Sequence, residues 1–351
     1  MTRTQPFHTP WYARNPHLQT VWGKFIRPEP PVVASRELWE TPDGDEVVVF
    51  RSAAERATTP RFVLFHGLEG TERSHYVPSL FRAAAARGWG ADLMLWRSCG
   101  GRNNRAARFY HSGETEDALW FLKELAARHP ESPLVACGVS LGGNVLTKLI
   151  GDTSVALPDT LRAAAGVSVP FDLERGARHI GTGVSRMYEK WFLRSLRRKA
   201  LEKASRYPDR FPSLEVISGI RTLWDFDDLI TGPLHGFSGA RDYYTRSSAK
   251  HFVESARVPL LLLSAADDPF LPADVLDEVG ELARTNSMVE TEFLRRGGHV
   301  GFVTGTADGG TQSYLSDRIP SFLAQFVESA ASRKNESMDS APFRRVSGFS
   351  R

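Results

Sequence analysis

Short, nearly uninterrupted apolar runs recur along the chain. Six are Val47-Val48-Val49-Phe50, Phe62-Val63-Leu64-Phe65, Asp92-Leu93-Met94-Leu95-Trp96, Leu134-Val135-Ala136-Cys137, Ala165-Gly166-Val167-Ser168-Val169 and Leu260-Leu261-Leu262-Leu263. A seventh, Val289-Glu290-Thr291-Glu292-Phe293-Leu294, is β-rich but more polar. Runs this short and apolar suit strands covered on both faces, as in a mainly parallel sheet. Between them, residues 77–87, 114–128 and 141–150 space their apolar side chains at helical steps. The alternation predicts an α/β fold with a crossover helix after each strand.

One interval breaks the rhythm. Residues 172–256 contain no buried-strand run, only aromatic and basic helical stretches with turn signals, and are expected to form a helical cap inserted over the sheet. Within it, residues 187–210 are rich in Arg and Lys and carry Met187, Tyr188, Trp191, Phe192, Leu196 and Leu201 at roughly helical steps. The expectation is a cap helix with its aromatic face on the core and its charges in water. The competing reading is a basic amphipathic surface for anionic lipid, giving peripheral membrane contact. The predicted organisation is an N-terminal arm at 1–35, a core from 36–171 and 257–330, the cap at 172–256, and a disordered tail at 331–351, rich in Ser, Arg, Asn and Gly.

Composition narrows the class. A chain of 351 residues with 41% hydrophobic and 24% charged residues buries a large core and is not disordered. A formal charge of +3 is too slight and too dispersed to argue for nucleic acid. Two cysteines, Cys99 and Cys137, supply neither a disulfide framework nor a cysteine zinc site and suit a reducing, cytoplasmic setting. The first fifteen residues have no apolar stretch of a secretory signal, and no run of 18 apolar residues occurs. No repeat of solenoid or propeller period is present.

Chemistry enters at Gly138-Val139-Ser140-Leu141-Gly142, which follows a predicted strand and precedes a predicted helix. A sharp strand-to-helix turn exposes the serine, and small flanking residues admit the tight backbone. A serine hydroxyl needs a neighbouring base, and the base an orienting acid, in the chain order serine, acid, histidine for this fold. After residues 260–263 comes Ser264-Ala265-Ala266-Asp267-Asp268-Pro269-Phe270-Leu271-Pro272, and after residues 289–294 comes Arg295-Arg296-Gly297-Gly298-His299-Val300-Gly301-Phe302. His299 is assigned as general base and Asp268, four residues before Pro272, as its orienting acid, with Asp267 bracing the loop. The oxyanion donors are expected to be the backbone N–H groups of Leu68, in Phe65-His66-Gly67-Leu68-Glu69-Gly70, and of Leu141. His66 precedes the serine and is read as a loop brace. No histidine pair has zinc-ligand spacing, and no metal or organic cofactor is expected.

The ordered motifs resemble the α/β-hydrolase superfamily and, within it, the YheT-type (EMB8-like) branch. They are Asn15-Pro16-His17-Leu18-Gln19-Thr20, His66-Gly67-Leu68-Glu69-Gly70, Arg97-Ser98-Cys99-Gly100-Gly101 and Tyr110-His111-Ser112-Gly113-Glu114-Thr115-Glu116-Asp117. Gly138 to Asn144, Phe226-Asp227-Asp228, Asp242-Tyr243-Tyr244, Asp267-Asp268-Pro269 and Gly298-His299 complete a series running from about residue 10 to 328. The resemblance implies a serine hydrolase of short-chain acyl, monoacylglycerol or phospholipid esters, and Ser140, Asp268 and His299 match the branch's triad. Eukaryotic relatives often carry an N-terminal membrane segment that these residues do not resemble, so membrane residence is not expected from it. Arg97-Ser98-Cys99 departs from the commoner Arg-Gly start of that loop, a change expected to alter only local backbone freedom. Arg97, Asn103, Asn104 and Arg105 are expected to tie their loop to the sheet, and Asp227, Asp228 and the 242–244 motif to anchor the insertion.

The expected partner is a small-molecule or lipid ester, without nucleic acid; no motif specifies an oligomeric state. An alternative keeps the acyl-enzyme but resolves it with an alcohol, as an O-acyltransferase. A non-catalytic binding protein on a hydrolase scaffold is disfavoured by the intact Ser, Asp and His set.

Overall fold

The computed structural model describes residues 6–26, 30–31, 33–306 and 308–327. The predicted strands appear in it as seven members of one sheet: β2 (Glu46–Ser52), β3 (Arg61–Phe65), β4 (Gly90–Leu95), β5 (Leu134–Val139), β6 (Leu161–Val167), β7 (Leu260–Ala265) and β8 (Val289–Leu294). The eighth, β1 (Ser35–Glu40), was not legible because only Trp39 along it is buried, as befits an edge strand. The order is β1-β2-β4-β3-β5-β6-β7-β8, with β2 antiparallel to both neighbours and every later pairing parallel.

A helix does not follow every strand, contrary to expectation. The antiparallel β1–β2 pair needs only a turn, and the loop from β2 to β3 carries no helix. Crossovers begin afterwards. Helix α1 (Pro16–Val21) lies in the N-terminal arm, α2 (Tyr76–Ala85) links β3 to β4, α3 (Thr115–Arg128) links β4 to β5, and α4 (Leu141–Gly151) links β5 to β6. Every residue of β3, β4 and β5 is buried, which accounts for their continuous apolar sequences.

Between β6 and β7 the chain is helical throughout: α5 (Leu173–Ile180), α6 (Arg186–Arg206), the short α7 (Leu214–Gly219), α8 (Leu223–Phe226) and α9 (Gly232–Leu234), then α10 (Ala240–Ser247). This stretch has its own small core, in which Leu193, Leu196 and Ala200 of α6 meet Ile217, Phe226 and Phe109. After β7 come α11 (Asp274–Arg284) and α12 (Leu315–Ala324), with a two-stranded ribbon of β9 (Val303–Gly305) and β10 (Thr311–Ser313) between β8 and α12. Helices α2 and α12 pack together, as do α3 and α4, and these pairs cover the sheet. Residues 331–351, expected to be a tail, lie outside the described residues.

Candidate active site

The turn between β5 and α4 is built by what its glycines lack. A Cβ on Gly138 would stand 2.3 Å from the Gly142 carbonyl oxygen, and one on Gly142 would stand 2.3 Å from that of Phe65. Ser140 between them adopts φ +54°, ψ −121°, and its N–H donates to the Val167 carbonyl at 2.8 Å. Left-handed backbone at a non-glycine residue costs on the order of 1–3 kcal/mol and persists only where surrounding contacts enforce it. Glu69 at φ +55°, Ser168 at +48° and the β-branched Val300 at +61° also have positive φ, and all lie in loops that follow strands of the sheet. The Ser168 hydroxyl accepts the Val300 N–H at 3.0 Å, joining two of them.

Three side chains from three loops meet here. His299 Nε2 is 2.9 Å from Ser140 Oγ, and His299 Nδ1 is 2.8 Å from Asp268 Oδ2. The other Asp268 oxygen accepts the Phe270 N–H at 2.8 Å, which fixes the carboxylate plane. With Nδ1–H donating to Asp268, Nε2 carries the lone pair toward the serine hydroxyl. The Phe270 ring stacks on the imidazole, centroids 4.1 Å apart, and His299 and Asp268 are buried. Asp267 Oδ1 accepts the Gly298 N–H at 2.9 Å, the bracing position expected of it.

On the opposite side, Leu68 and Leu141 both border the cavity in front of Ser140. The flanking N–H groups of Gly67 and Glu69 are taken by the hydroxyls of Tyr76 and Tyr110, at 3.0 and 2.7 Å. His66 is fully buried; Nδ1–H donates to the Gly67 carbonyl while Nε2 accepts the Trp96 N–H, so it braces β3 against β4. Burial holds its pKa down at about 3, which keeps it neutral. Arg97 clamps Asp117 through two bonds of 2.7 Å and reaches Asp43 and Asp45, tying its loop to the sheet. Ser98 beside it takes φ +66°, with its hydroxyl on Asn104 Oδ1.

The sequence reading missed three features. The N-terminal motif holds the histidine loop. Asn15 caps α1 through the N–H groups of His17 and Leu18, Thr20 Oγ1 accepts the His299 N–H at 2.9 Å, and buried Gln19 donates to Ala13 and Val303 while accepting the Val303 N–H. The motif at residues 15–20 carries only a resemblance, and nothing local in it points to a histidine so far along the chain. Second, the cavity, about 1000 Å³ counted out to its open mouth, is walled mainly by Phe109, Phe192, Leu196, Leu223, Phe226 and Phe270, most of them from the insertion. Third, Asp227, Tyr243 and Tyr244, expected only to anchor the insertion, also border this cavity. Tyr244 OH and Thr231 Oγ1 donate to Asp227 at 2.8 and 2.7 Å, and burial raises its pKa to about 6.

His111, Glu114 and His235 bring one potential metal-ligand atom each within 4.8 Å of the others. Their bonding does not suit a cation. His111 Nδ1 accepts the Gly113 N–H, so the neutral ring keeps its proton on Nε2, while Arg108 holds Glu114 at 2.5 Å. The charged part of the cluster is the Arg108–Glu114 pair, with the two imidazoles packed together beside it, ring centroids 4.4 Å apart.

The family model described as alpha/beta hydrolase fold matches residues 60–306. The chain belongs to the α/β-hydrolase family. Within that family it is 39% identical over 317 residues to the "Putative esterase YheT" of Escherichia coli (strain K12), covering 90% of this chain and 92% of that one. It is also 26% identical to the human phospholipase ABHD3, over 93% of this chain and 78% of that one. The monoacylglycerol lipase of Saccharomyces cerevisiae (strain ATCC 204508 / S288c) is 29% identical over 69% of this chain and 55% of its own. Among solved structures, the Pyrococcus furiosus esterase Pf2001 superposes with a TM-score of 0.54 at 14% identity, over 85% of this chain and 98% of that one, a likeness of fold.

Proposed function

We propose that the chain, a carboxylic ester hydrolase by family and fold, works through an acyl-enzyme on Ser140. The reading is carried by the unbroken line from Asp268 through His299 to Ser140, with bonds of 2.8 and 2.9 Å, opening onto an apolar cavity. His299 Nε2 takes the hydroxyl proton as Ser140 Oγ attacks the ester carbonyl, and Asp268 steadies the imidazolium that forms. The N–H groups of Leu68 and Leu141 receive the oxyanion, whose stabilisation is worth about 3–4 kcal/mol per donor in such sites. His299 then protonates the departing alcohol, and water repeats the cycle to release the acid.

The aromatic and leucine wall favours a hydrocarbon acyl chain, and relatives named a phospholipase and a monoacylglycerol lipase support lipid esters as substrates. Residues 172–256 act as a cap that shapes this acyl site. The test is hydrolysis of p-nitrophenyl esters from acetyl to palmitoyl by the native protein and by Ser140→Ala, each treated with a fluorophosphonate probe. Turnover and labelling are expected to vanish together in the variant. Labelling of Ser140→Ala, or a native protein that neither labels nor turns over, would sink the proposal, while ester exchange with added alcohol outpacing acid release would favour an acyltransferase.

A further inference from the structure

Several large apolar side chains stay in water, and six of them belong to two segments that touch. Trp11, Phe25 and Ile26 of the N-terminal arm, Val184 just before α6, and Met187 and Trp191 in its first two turns are each between 48% and 78% exposed. Contacts join the two segments. Trp11 packs on Tyr12, Tyr12 stacks on Trp22, and Lys24 Nζ sits 5.2 Å from the centre of the Phe25 ring and 4.0 Å from that of Trp191. His17 of α1 stacks on Tyr188, one turn before Phe192. Contiguous exposed apolar surface of this kind marks an interaction site.

The exposed charges that these two segments contribute are of one sign. Residues 11–26 contain Arg14 and Lys24 and no Asp or Glu. Between Arg186 and Arg198 the exposed side chains of α6 are Arg186, Met187, Lys190, Trp191, Arg194 and Arg198. The acidic residue in that stretch, Glu189, is turned inward, 3% exposed, where it accepts the Leu223 N–H at 2.9 Å. The face also adjoins the candidate active site. Tyr188 and Phe192 pack on Phe270, the ring that lies on His299.

We propose that this face docks onto an anionic lipid bilayer. Trp11, Phe25, Ile26, Met187 and Trp191 enter the headgroup region, and Arg14, Lys24, Arg186, Lys190 and Arg194 meet the lipid phosphates. Exposed aromatic and aliphatic side chains interspersed with cations are the composition that lies in such an interface. Docking there holds the Phe270 side of the cavity close to the lipid. The inference needs no chemistry at Ser140 and stands apart from the proposed mechanism.

The test is flotation of the full chain, native and Ser140→Ala, with vesicles of phosphatidylcholine alone or mixed with phosphatidylglycerol. Both proteins are expected to bind the mixed vesicles at least about tenfold better than the neutral ones, and to release them as salt is raised. Replacing Phe25 and Met187 together by Ser should weaken binding by about tenfold or more. Lys190→Glu with Arg194→Glu should do the same, and circular dichroism and turnover of p-nitrophenyl acetate should match the native protein in both variants. Absence of binding, or binding indifferent to lipid charge and to both variants, overturns the proposal. So does a dimer in sedimentation velocity that the Phe25 and Met187 substitutions dissolve, which would assign the face to a second copy of the chain.

Discussion

Glu69 sits beside Leu68 with its backbone in the left-handed region, and two side chains hold it there through three contacts. Its N–H donates to Tyr110 OH, the same hydroxyl donates back to its carboxylate at 2.9 Å, and Lys199 Nζ of α6 lies 2.6 Å from Oε1. Both side chains of the ion pair are nearly buried, 11% and 5% exposed. Breaking a buried pair from one side costs about 3–5 kcal/mol, because the remaining charge loses its partner. Lys199→Met is therefore expected to loosen the segment that presents the Leu68 N–H. The expected outcome is kcat lower by about tenfold to a hundredfold with KM moving less. Lys199→Arg should retain part of the activity, and adding Glu69→Gln to Lys199→Met should recover part of the stability. Steady-state kinetics with a soluble ester decides the matter: unchanged kcat with a raised KM would place Lys199 in ground-state binding instead.

Among the elements, α1 packs against the loop of the site and is not a crossover of the sheet. Its Gln19 and Thr20 are the supports of the loop that carries His299, and Gly298 and Gly301 are glycines because a Cβ would strike the Pro16 or Gln19 carbonyl, at 2.4 and 2.3 Å. Gln19→Leu strands the Val303 N–H in the interior, a loss of about 1–3 kcal/mol. A lower thermal midpoint together with lower kcat is expected, with circular dichroism at low temperature unchanged; full activity in this variant would refute the bracing role. Much of the rest was legible from sequence. Buried parallel strands wrote themselves as apolar runs, and the elbow showed itself because its glycines and serine are adjacent. What stayed hidden depends on pairing across distance: edge strand β1, whose outward charges mask it, and the insertion wall, where Lys199 and Lys203 look like surface charge yet are buried. Lys203 is wholly enclosed, donating to Asn104 and to the carbonyls of Ala106 and Arg108, a fate no helical periodicity reveals.

For the whole molecule, the buried carboxyl of Asp227 links stability to pH. Below about pH 4 it is protonated both folded and unfolded. From there to about pH 6 the unfolded chain ionises it while the fold keeps it neutral. Stability should thus fall by on the order of 3 kcal/mol as pH rises across that window, then stay level above it with respect to this group. Asp227→Asn lacks this component. Urea unfolding of both proteins at pH 4 and pH 7 tests it: a stability difference that is the same at both values removes Asp227 as the source.

The hydrogen bonds that Thr20 and Gln19 accept from the His299 loop, spanning 279 and 284 residues, also bear on how the protein is made. The arm is translated well before the loop that it supports. Strands β2 to β6 pair and bury their side chains from sequence already translated, while α1 waits unpartnered. Loop closures this long come late and slowly in folding. A nascent chain halted before residue 299 holds the 138–142 turn without the imidazole that meets Ser140, so under the proposed mechanism it is expected to be inert.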